Sequence, residues 1–173
     1  MNISENFNIY IREGKGTHFW WNIAYWKFIE NSIYNNTNPD YSTTDKLSEA
    51  SREYILNDIA YVNIKKNCEN KTRTNSSDII TYAKNDRQYL IKQIDLINHD
   101  VIFCSETTFR AYKILHSEYL LQLNTICNRH DNRLIINYKY PSYFQISGGR
   151  KTLFNNLKNS LLEIDFKQFN WSK

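Results

Sequence analysis

Short runs of apolar, β-branched residues alternate along this chain with longer segments in which apolar residues recur at helical spacing. The short runs predict strands and the periodic segments predict helices. The predicted strands cover residues 7–11, 58–64, 100–104 and 134–138, and the predicted helices cover about 19–34, 43–56, 76–98, 107–119 and 150–164. Strands that alternate with helices pair in parallel, and their crossovers cover both faces of the sheet. We therefore expect an α/β fold, a three-layer α/β/α sandwich around a four-stranded parallel sheet.

The length and composition of the chain are those of one globular domain. Its 173 residues suffice for one core, and an apolar fraction of 41% argues against an intrinsically disordered chain. No internal repeat or linker divides the sequence, so we predict a single domain over residues 1–173. The formal net charge of +4 and the pI of about 8.8 favour an anionic partner such as nucleic acid.

The cysteines and the apolar runs limit the cofactors and the compartment. Cys68, Cys104 and Cys127 are odd in number and widely spaced, which argues against a disulfide framework and against a zinc or iron–sulfur site. The first residues are polar and interrupted, unlike a signal peptide, and no apolar run approaches the roughly 18 residues of a membrane span. We expect no cofactor, no metal cluster, no membrane partner and a cytoplasmic location.

The most unusual chemistry of the sequence follows the predicted strands. In a parallel sheet the carboxyl ends of the strands meet at one edge, and ligands bind in the crevice there. The segments after the four strands cover residues 12–18, 63–75, 105–107 and 140–150. They contain all four glycines, Pro141 and a run of basic residues. We expect these segments to converge around one binding site.

Motifs in these segments share their order and spacing with one enzyme family. Residues 60–66 read A-Y-V-N-I-K-K, and residues 87–104 read as a helix followed by a strand. Residues 140–142 read Tyr-Pro-Ser, and residues 12–16 read R-E-G-K-G. In this order the motifs resemble the uracil-DNA glycosylase superfamily, in which a strand ends in a base-recognising Asn and a His-Pro-Ser loop follows the last strand. The resemblance covers about residues 8–162.

The chain departs from that family at several positions. His99 replaces the usual proline before the third strand, and Ser105-Glu106 replaces a glycine-containing turn after it. Tyr140 stands in place of the histidine of the last motif. One branch of the family carries an iron–sulfur cluster on four cysteines, and the three cysteines here cannot build it. The resemblance therefore implies a cluster-free member.

The resemblance also implies the residues that act on the glycosidic bond. Cleavage passes through a cationic sugar and an anionic leaving base, so the enzyme must bind the flipped base and hold a water beneath C1′. Asn63 is the candidate for base recognition, because its amide offers a donor and an acceptor on one edge. Glu13 is the candidate for positioning the water, with His18 as a substitute. Tyr140 can donate to the base oxygen in place of the histidine, or it can serve in packing.

Further residues are expected to contact the substrate or the DNA. The substrate-binding candidates are Gly16, Lys65, Ser105, Glu106 and Ser142. The DNA-binding candidates are Lys66, Arg73, Tyr143, Phe144, Arg150 and Lys151, of which Tyr143 and Phe144 could wedge into the base stack. Solvated loops and a buried hydrophobic corner are the plainer explanations of the same residues. Trp20 and Trp26 lie on the apolar stripe of the first predicted helix and are expected in the core, whereas Trp21 lies off that stripe and its role is open.

The substrate expected from the resemblance is a modified pyrimidine in double-stranded DNA. The uracil-selective pocket of the family uses an aromatic residue in its first loop to exclude groups at C5, and this chain has Gly14-Lys15-Gly16 there. Glucosylated 5-hydroxymethylcytosine of phage DNA fits such an open pocket, which implies a role in antiviral defence by a monomeric enzyme. Repair of uracil or mismatches is the alternative, and a non-catalytic module that binds nucleic acid or nucleotides on the same fold is the second alternative.

Overall fold

The computed structural model describes residues 17–62, 64, 75–116, 120–139 and 149–171, and the side chains of Thr17 and His18 lie outside the description. Two compact units divide the chain. The helical unit comprises Met1–Tyr61 and Pro141–Phe166, and the sheet unit comprises Val62–Tyr140 and Lys167–Lys173. The single domain expected from the sequence stays a prediction.

The described elements are five helices, one strand, a sixth helix, three more strands, a seventh helix and a final 3-10 turn. In chain order they are α1 (Thr17–Tyr34), α2 (Tyr41–Asp45), α3 (Glu49–Leu56), α4 (Ser76–Asn85), α5 (Arg87–Ile97), β1 (Val101–Ser105), α6 (Glu106–His116), β2 (Leu121–Gln122), β3 (Cys127–His130), β4 (Arg133–Tyr138), α7 (Gly149–Leu162) and a 3-10 turn (Phe166–Gln168). None of the described helices has the length and apolar character that a membrane crossing requires.

The helical unit is organised around α1, which contacts both α3 and α7. Ala24 of α1 and Leu56 of α3 are buried together, with Trp20 packed against them. Trp26 is buried as well, so the expectation that Trp20 and Trp26 serve the core is confirmed. The helix predicted over residues 43–56 is instead two helices, because the hydroxyl of Ser48 accepts from the backbone amide of Ser51 and caps a new helix.

The helices of the sheet unit pack on one another and on two strands. α6 contacts α4 and α5, and it also contacts β1 and β4. Ala111 and Leu115 of α6 are buried with Leu90 of α5 and Ala83 of α4. The helix predicted over residues 76–98 breaks into α4 and α5 at Asp86, where the backbone leaves the helical conformation. Asn98 ends α5 in the left-handed conformation, with φ 49°, as helix ends commonly do.

The sheet is mixed, and the prediction of a four-stranded parallel sheet is wrong for the described strands. Their order is β1-β4-β3-β2, with β1 and β4 parallel and the other pairs antiparallel. β3 and β4 form a hairpin through the two-residue turn Asp131-Asn132, in which Asp131 has φ 51°. The expected β–α alternation misses this hairpin, because β2 and β3 are short and polar and lack the apolar run used to recognise strands.

The four predicted strands have different outcomes. The predictions over residues 100–104 and 134–138 are confirmed by β1 and β4. Residues 58–62 and 64 are not in a strand, so the strand prediction over 58–64 is wrong for those residues. Ile64 instead packs with Leu90 and Leu115 beside the helices of the sheet unit, so burial rather than strand pairing explains its apolar character. The strand predicted over residues 7–11 lies outside the described residues.

Candidate functional site

The carboxyl ends of β1 and β4 lie side by side, as the sequence predicted for the two strands. The strands pair in parallel from Val101 with Leu134 to Ser105 with Tyr138. After Tyr138 the chain passes the exposed Lys139 and enters the Tyr-Pro-Ser segment. We call this end of the pair, from Ser105 to Thr108 and at Tyr138, the carboxyl edge. It is the described part of the predicted site.

Ser105 and Glu106 sit at the carboxyl edge without an intervening loop. β1 ends at Ser105 and α6 begins at Glu106, so the loop predicted over residues 105–107 does not form. The hydroxyl of Thr108 donates to the carbonyl of Ser105 at 2.9 Å and lies 3.0 Å from the Ser105 hydroxyl. Glu106 is exposed in the first turn of α6, where a negative charge complements the helix dipole. Both residues therefore have a local structural role alongside the predicted substrate contact.

A hydroxyl contact brings a second predicted segment to the carboxyl edge. The Ser76 hydroxyl at the start of α4 lies 3.2 Å from the Thr107 hydroxyl in the first turn of α6. Residues 65–74, which carry the basic run, end next to this point in the sequence. Ser76, which follows this segment in the sequence, therefore lies beside the first turn of α6. The carboxyl edge therefore adjoins three of the predicted site segments in the sequence. Ser76 follows the first segment, Ser105 begins the second, and Lys139 precedes the third.

Most of the predicted site residues lie outside the described residues. They are Glu13, Gly16, Asn63, Lys65, Lys66, Arg73, Tyr140, Ser142, Tyr143 and Phe144. His18 is the second residue of α1, and its side chain is also outside the description. Their predicted roles stay predictions.

Arg150 and Lys151 occupy the first turn of α7, as expected for residues at a helix start. Lys151 is exposed and Arg150 is partly buried. The guanidinium carbon of Arg150 lies 5.9 Å from the centre of the Trp21 ring, within the range of a cation–π contact. Gly149 before them has φ 61°, a conformation that favours glycine. The sequence therefore predicted the start of this helix. It did not indicate that Trp21 would be the aromatic partner of Arg150.

The opposite end of the sheet unit holds a polar cavity that the sequence did not indicate. Its volume is about 610 Å³, and it lies beside the amino ends of β1 and β4. Its charged and imidazole lining residues are Arg87, Asp95, His99, Asp100, His116, His130, Asp131 and Arg133. We call this region the amino edge. Its residues come from α5, α6, the Asp131-Asn132 turn and the strand ends, so only the folded chain assembles them.

A buried hydrogen bond holds His130, which is one of the residues that line the amino-edge cavity. The Tyr112 hydroxyl lies 2.8 Å from Nδ1 of His130, and both side chains are buried. The His116 ring is 4.3 Å from the Tyr112 ring and 4.6 Å from the His130 ring, measured between centroids. Tyr112 and His116 are four residues apart on α6, so they share a helix face. This spacing is the one sequence signal that could have pointed to the cluster.

Both arginines at the amino edge bond to groups of the protein. Nη1 of Arg133 donates to the Asp95 carboxylate at 3.0 Å, and Nε of Arg87 donates to the carbonyl of Leu115 at 2.6 Å. Burial raises the pKa of Tyr112 far above its usual range, and the Arg133 guanidinium opposes that rise only in part. Tyr112 therefore stays protonated at neutral pH and acts as a hydrogen-bonding group rather than as a base.

The described cysteines and the other possible metal ligands can be assessed in the same way. No group of three or more His, Cys, Asp or Glu side chains there could hold a metal ion. Cys104 and Cys127 are buried, and burial raises the pKa of Cys104 to about 12. A thiol with so high a pKa supplies almost no thiolate, so Cys104 is not a nucleophile at neutral pH.

Comparison with the models of known protein families, with curated proteins and with solved structures finds no match to this chain. The resemblance to the uracil-DNA glycosylase superfamily therefore stays a prediction from the motifs. The α/β class of the fold, by contrast, follows from the helices and the mixed sheet described above.

Proposed function

We propose that this chain is a monofunctional DNA glycosylase that flips a modified pyrimidine out of double-stranded DNA and hydrolyses its N-glycosidic bond, leaving an abasic site. The proposal includes a three-layer arrangement like that of the uracil-DNA glycosylases, with a mixed sheet rather than a fully parallel one. The observation that supports it best is the parallel pairing of Ser105 with Tyr138. That pairing gives two predicted site segments a common edge, as a base pocket built from strand ends requires.

In this proposal each polar residue has a defined task. Asn63 hydrogen-bonds the edge of the flipped base, and Glu13 or His18 holds the attacking water and stabilises the cationic sugar. Tyr140 donates to the base oxygen as negative charge develops on the leaving group. Ser105 and Glu106 contact the substrate from the end of β1. Lys65, Lys66, Arg73, Ser142, Arg150 and Lys151 bind the phosphates, and Tyr143 or Phe144 fills the vacated stack.

The substrate we favour is glucosylated 5-hydroxymethylcytosine, because the first predicted loop has no aromatic residue to exclude a group at C5. Such a base marks phage DNA, so the proposed role is antiviral defence. The enzyme would act as a monomer in the cytoplasm, where the invading DNA is found. Uracil or mismatch repair is the competing substrate assignment.

The test uses duplex oligonucleotides that carry uracil, 5-hydroxymethylcytosine or its glucosylated form. We expect alkali-labile abasic sites with the glucosylated base, and their loss in Asn63→Ala and Glu13→Ala. Asn156→Ala is the matched control, because Asn156 is exposed on α7 and has no part in the proposed site. Release of uracil alone would replace the defence role with repair. Absence of abasic sites on all three substrates contradicts the glycosylase proposal.

The polar amino-edge cavity favours a second candidate, a non-catalytic module that binds a nucleotide. Its lining combines arginine, histidine and aspartate side chains, which suit the phosphate and base edges of such a ligand. This candidate predicts binding of free nucleotides without cleavage of any oligonucleotide. Arg133→Gln would weaken that binding, whereas it would leave base excision unchanged if the glycosylase proposal is correct.

A further inference from the structure

Two arginines from different helices of the helical unit meet at one indole ring. The guanidinium carbon of Arg52 on α3 lies 4.7 Å from the centre of the Trp21 ring, and that of Arg150 on α7 lies 5.9 Å from it. α1, which carries Trp21, contacts both of these helices. All three side chains are partly buried, so each keeps some exposed surface. Packing of three helices therefore concentrates two permanent positive charges at one place on the surface.

Arg52 has a polar atom that the described protein leaves unsatisfied. Its Nε is inaccessible to solvent and has no hydrogen-bond partner among the described residues. No ion pair of Arg52 occurs among those residues either. A buried guanidinium N–H without an acceptor is unfavourable, and native proteins satisfy nearly all such groups. The partly exposed remainder of the Arg52 side chain lies beside Arg150 at the same indole ring, and these two neighbouring positive charges favour an anionic partner.

The arrangement suits a phosphate group in particular. An arginine fork matches phosphate oxygens with two parallel hydrogen bonds, and an aromatic ring beneath the guanidinium restricts the motion of the fork. Lys151 is exposed one residue after Arg150 and adds a third cation in the same helical turn. Among the described residues, a Cβ at Gly149 would meet no atom within 4 Å.

We propose that Trp21, Arg52 and Arg150 form a phosphate clamp for the backbone of duplex DNA, in which Trp21 orients both guanidinium groups. This inference deepens the proposed function, since it assumes the same DNA partner. It adds Arg52 and Trp21, which the sequence did not single out as DNA ligands. The clamp reads no base, so it contributes affinity for any sequence.

The test measures binding of a short, unmodified duplex by fluorescence anisotropy over a range of salt concentrations. Each lost phosphate contact reduces the slope of log K against log salt by about 0.9. We therefore expect this reduction in Arg52→Gln and in Arg150→Gln, and about twice as much in the double variant. Arg110→Gln is the matched control, because Arg110 is exposed on α6 and loses the same charge. We expect its slope to equal that of the wild type.

Further variants distinguish loss of the clamp from unfolding of the protein and from a general loss of positive charge. Arg52→Lys keeps the charge without the planar fork, so we expect weaker binding with a nearly unchanged salt slope. Melting curves check that each variant is folded, and Arg52→Lys replaces Arg52→Gln if the latter is not. The clamp is overturned if Arg52→Gln binds like the wild type, if Arg110→Gln loses as much, or if the wild type binds no duplex. It is also overturned if dilute inorganic phosphate at constant ionic strength displaces the duplex, since the site then takes a free anion.

The duplex in this test carries no modified base, so its result does not depend on excision. Loss of binding in Arg52→Gln without excision of any base would retain the clamp and reject the glycosylase. Excision with an unchanged salt slope would retain the glycosylase and reject the clamp.

Discussion

The carboxyl edge and the amino edge are two ends of the same strand pair, and they are built in different ways. At the carboxyl edge Ser105 and Thr108 are near neighbours in sequence and bond to each other within one helical turn. At the amino edge Tyr112 and His130 are 18 residues apart and form a buried bond. A site of the first kind can therefore be located from predicted strand ends, whereas a site of the second kind depends on how a helix packs against the sheet.

The largest expected difference between the edges is in base excision. Glu106 and Asp131 each follow a strand directly and are both exposed, so Glu106→Gln and Asp131→Asn form a matched pair. We expect about 10-fold to 100-fold slower excision in Glu106→Gln, the value of one charge-assisted hydrogen bond, and a wild-type rate in Asp131→Asn. Single-turnover assays of abasic-site formation measure both. A slow Asp131→Asn with a normal Glu106→Gln would move the chemistry to the amino edge.

The second-largest expected effect is on the free energy of unfolding, and it tests whether the buried bond at the amino edge stabilises the fold. Tyr112→Phe removes the hydroxyl that bonds Nδ1 of His130, so we expect it to lower the free energy of unfolding by about 1–3 kcal/mol. Tyr89→Phe is the control, because Tyr89 is 77% exposed, and it should change stability by less than about 0.5 kcal/mol. Urea denaturation followed by circular dichroism gives both values. Equal effects in the two variants would show that the buried bond contributes nothing.

A pH titration probes the buried thiol beside the carboxyl edge. Burial raises the pKa of Cys104 from near 9 to about 12, so the folded chain keeps the thiol proton that the unfolded chain loses above pH 9. The stabilisation is complete below pH 9 and declines as pH rises towards 12. From pH 9 to pH 10 we expect the free energy of unfolding to fall by about 1 kcal/mol.

The control for this titration is Cys104→Val, measured under reducing conditions. The variant removes the titrating group, so its stability should change less over the same pH interval. A decline of the same steepness in both proteins assigns the pH dependence to other groups.

The smallest expected effect is that of the ion pair at the amino edge. Asp95 is 52% exposed at its side chain, so the pair with Arg133 is largely screened by water. A double-mutant cycle with Arg133→Gln and Asp95→Asn should give a coupling energy of about 0.2–1 kcal/mol. Urea denaturation in low and high salt measures it, and salt should reduce the coupling. A coupling above that range would mean that the amino edge is more sheltered from solvent than its exposure suggests.

The sequence predicted those parts of the fold that local patterns determine. Apolar β-branched runs identified β1 and β4, and helical periodicity identified α1, α6 and α7 to within a few residues of their ends. It failed at β3, where four mostly polar residues form a strand because a two-residue turn brings them against β4. Turn chemistry at Asp131-Asn132 was the available signal, since such residues tolerate the left-handed conformation.

The candidate site was likewise predictable only where local sequence patterns determine it. Ser105 lies at a strand end, so topology alone assigned it to the carboxyl edge next to Tyr138. Arg52 was not predicted, because its partner Trp21 is 31 positions earlier in the sequence and on another helix. The amino-edge cluster was missed for the same reason. Contacts between residues on different elements depend on packing angles, which no single-sequence pattern records.

The turn between β3 and β4 is tied to residues far along the chain. The amide of Asn170 donates to the Asn132 side chain at 2.7 Å, and the Trp171 indole donates to the Asn132 carbonyl at 2.6 Å. Such a connection closes a loop of nearly forty residues, and this closure carries an entropic cost that the local hairpin does not. We therefore expect the hairpin to form before these contacts, and the amino-edge cavity to reach its final shape late in folding.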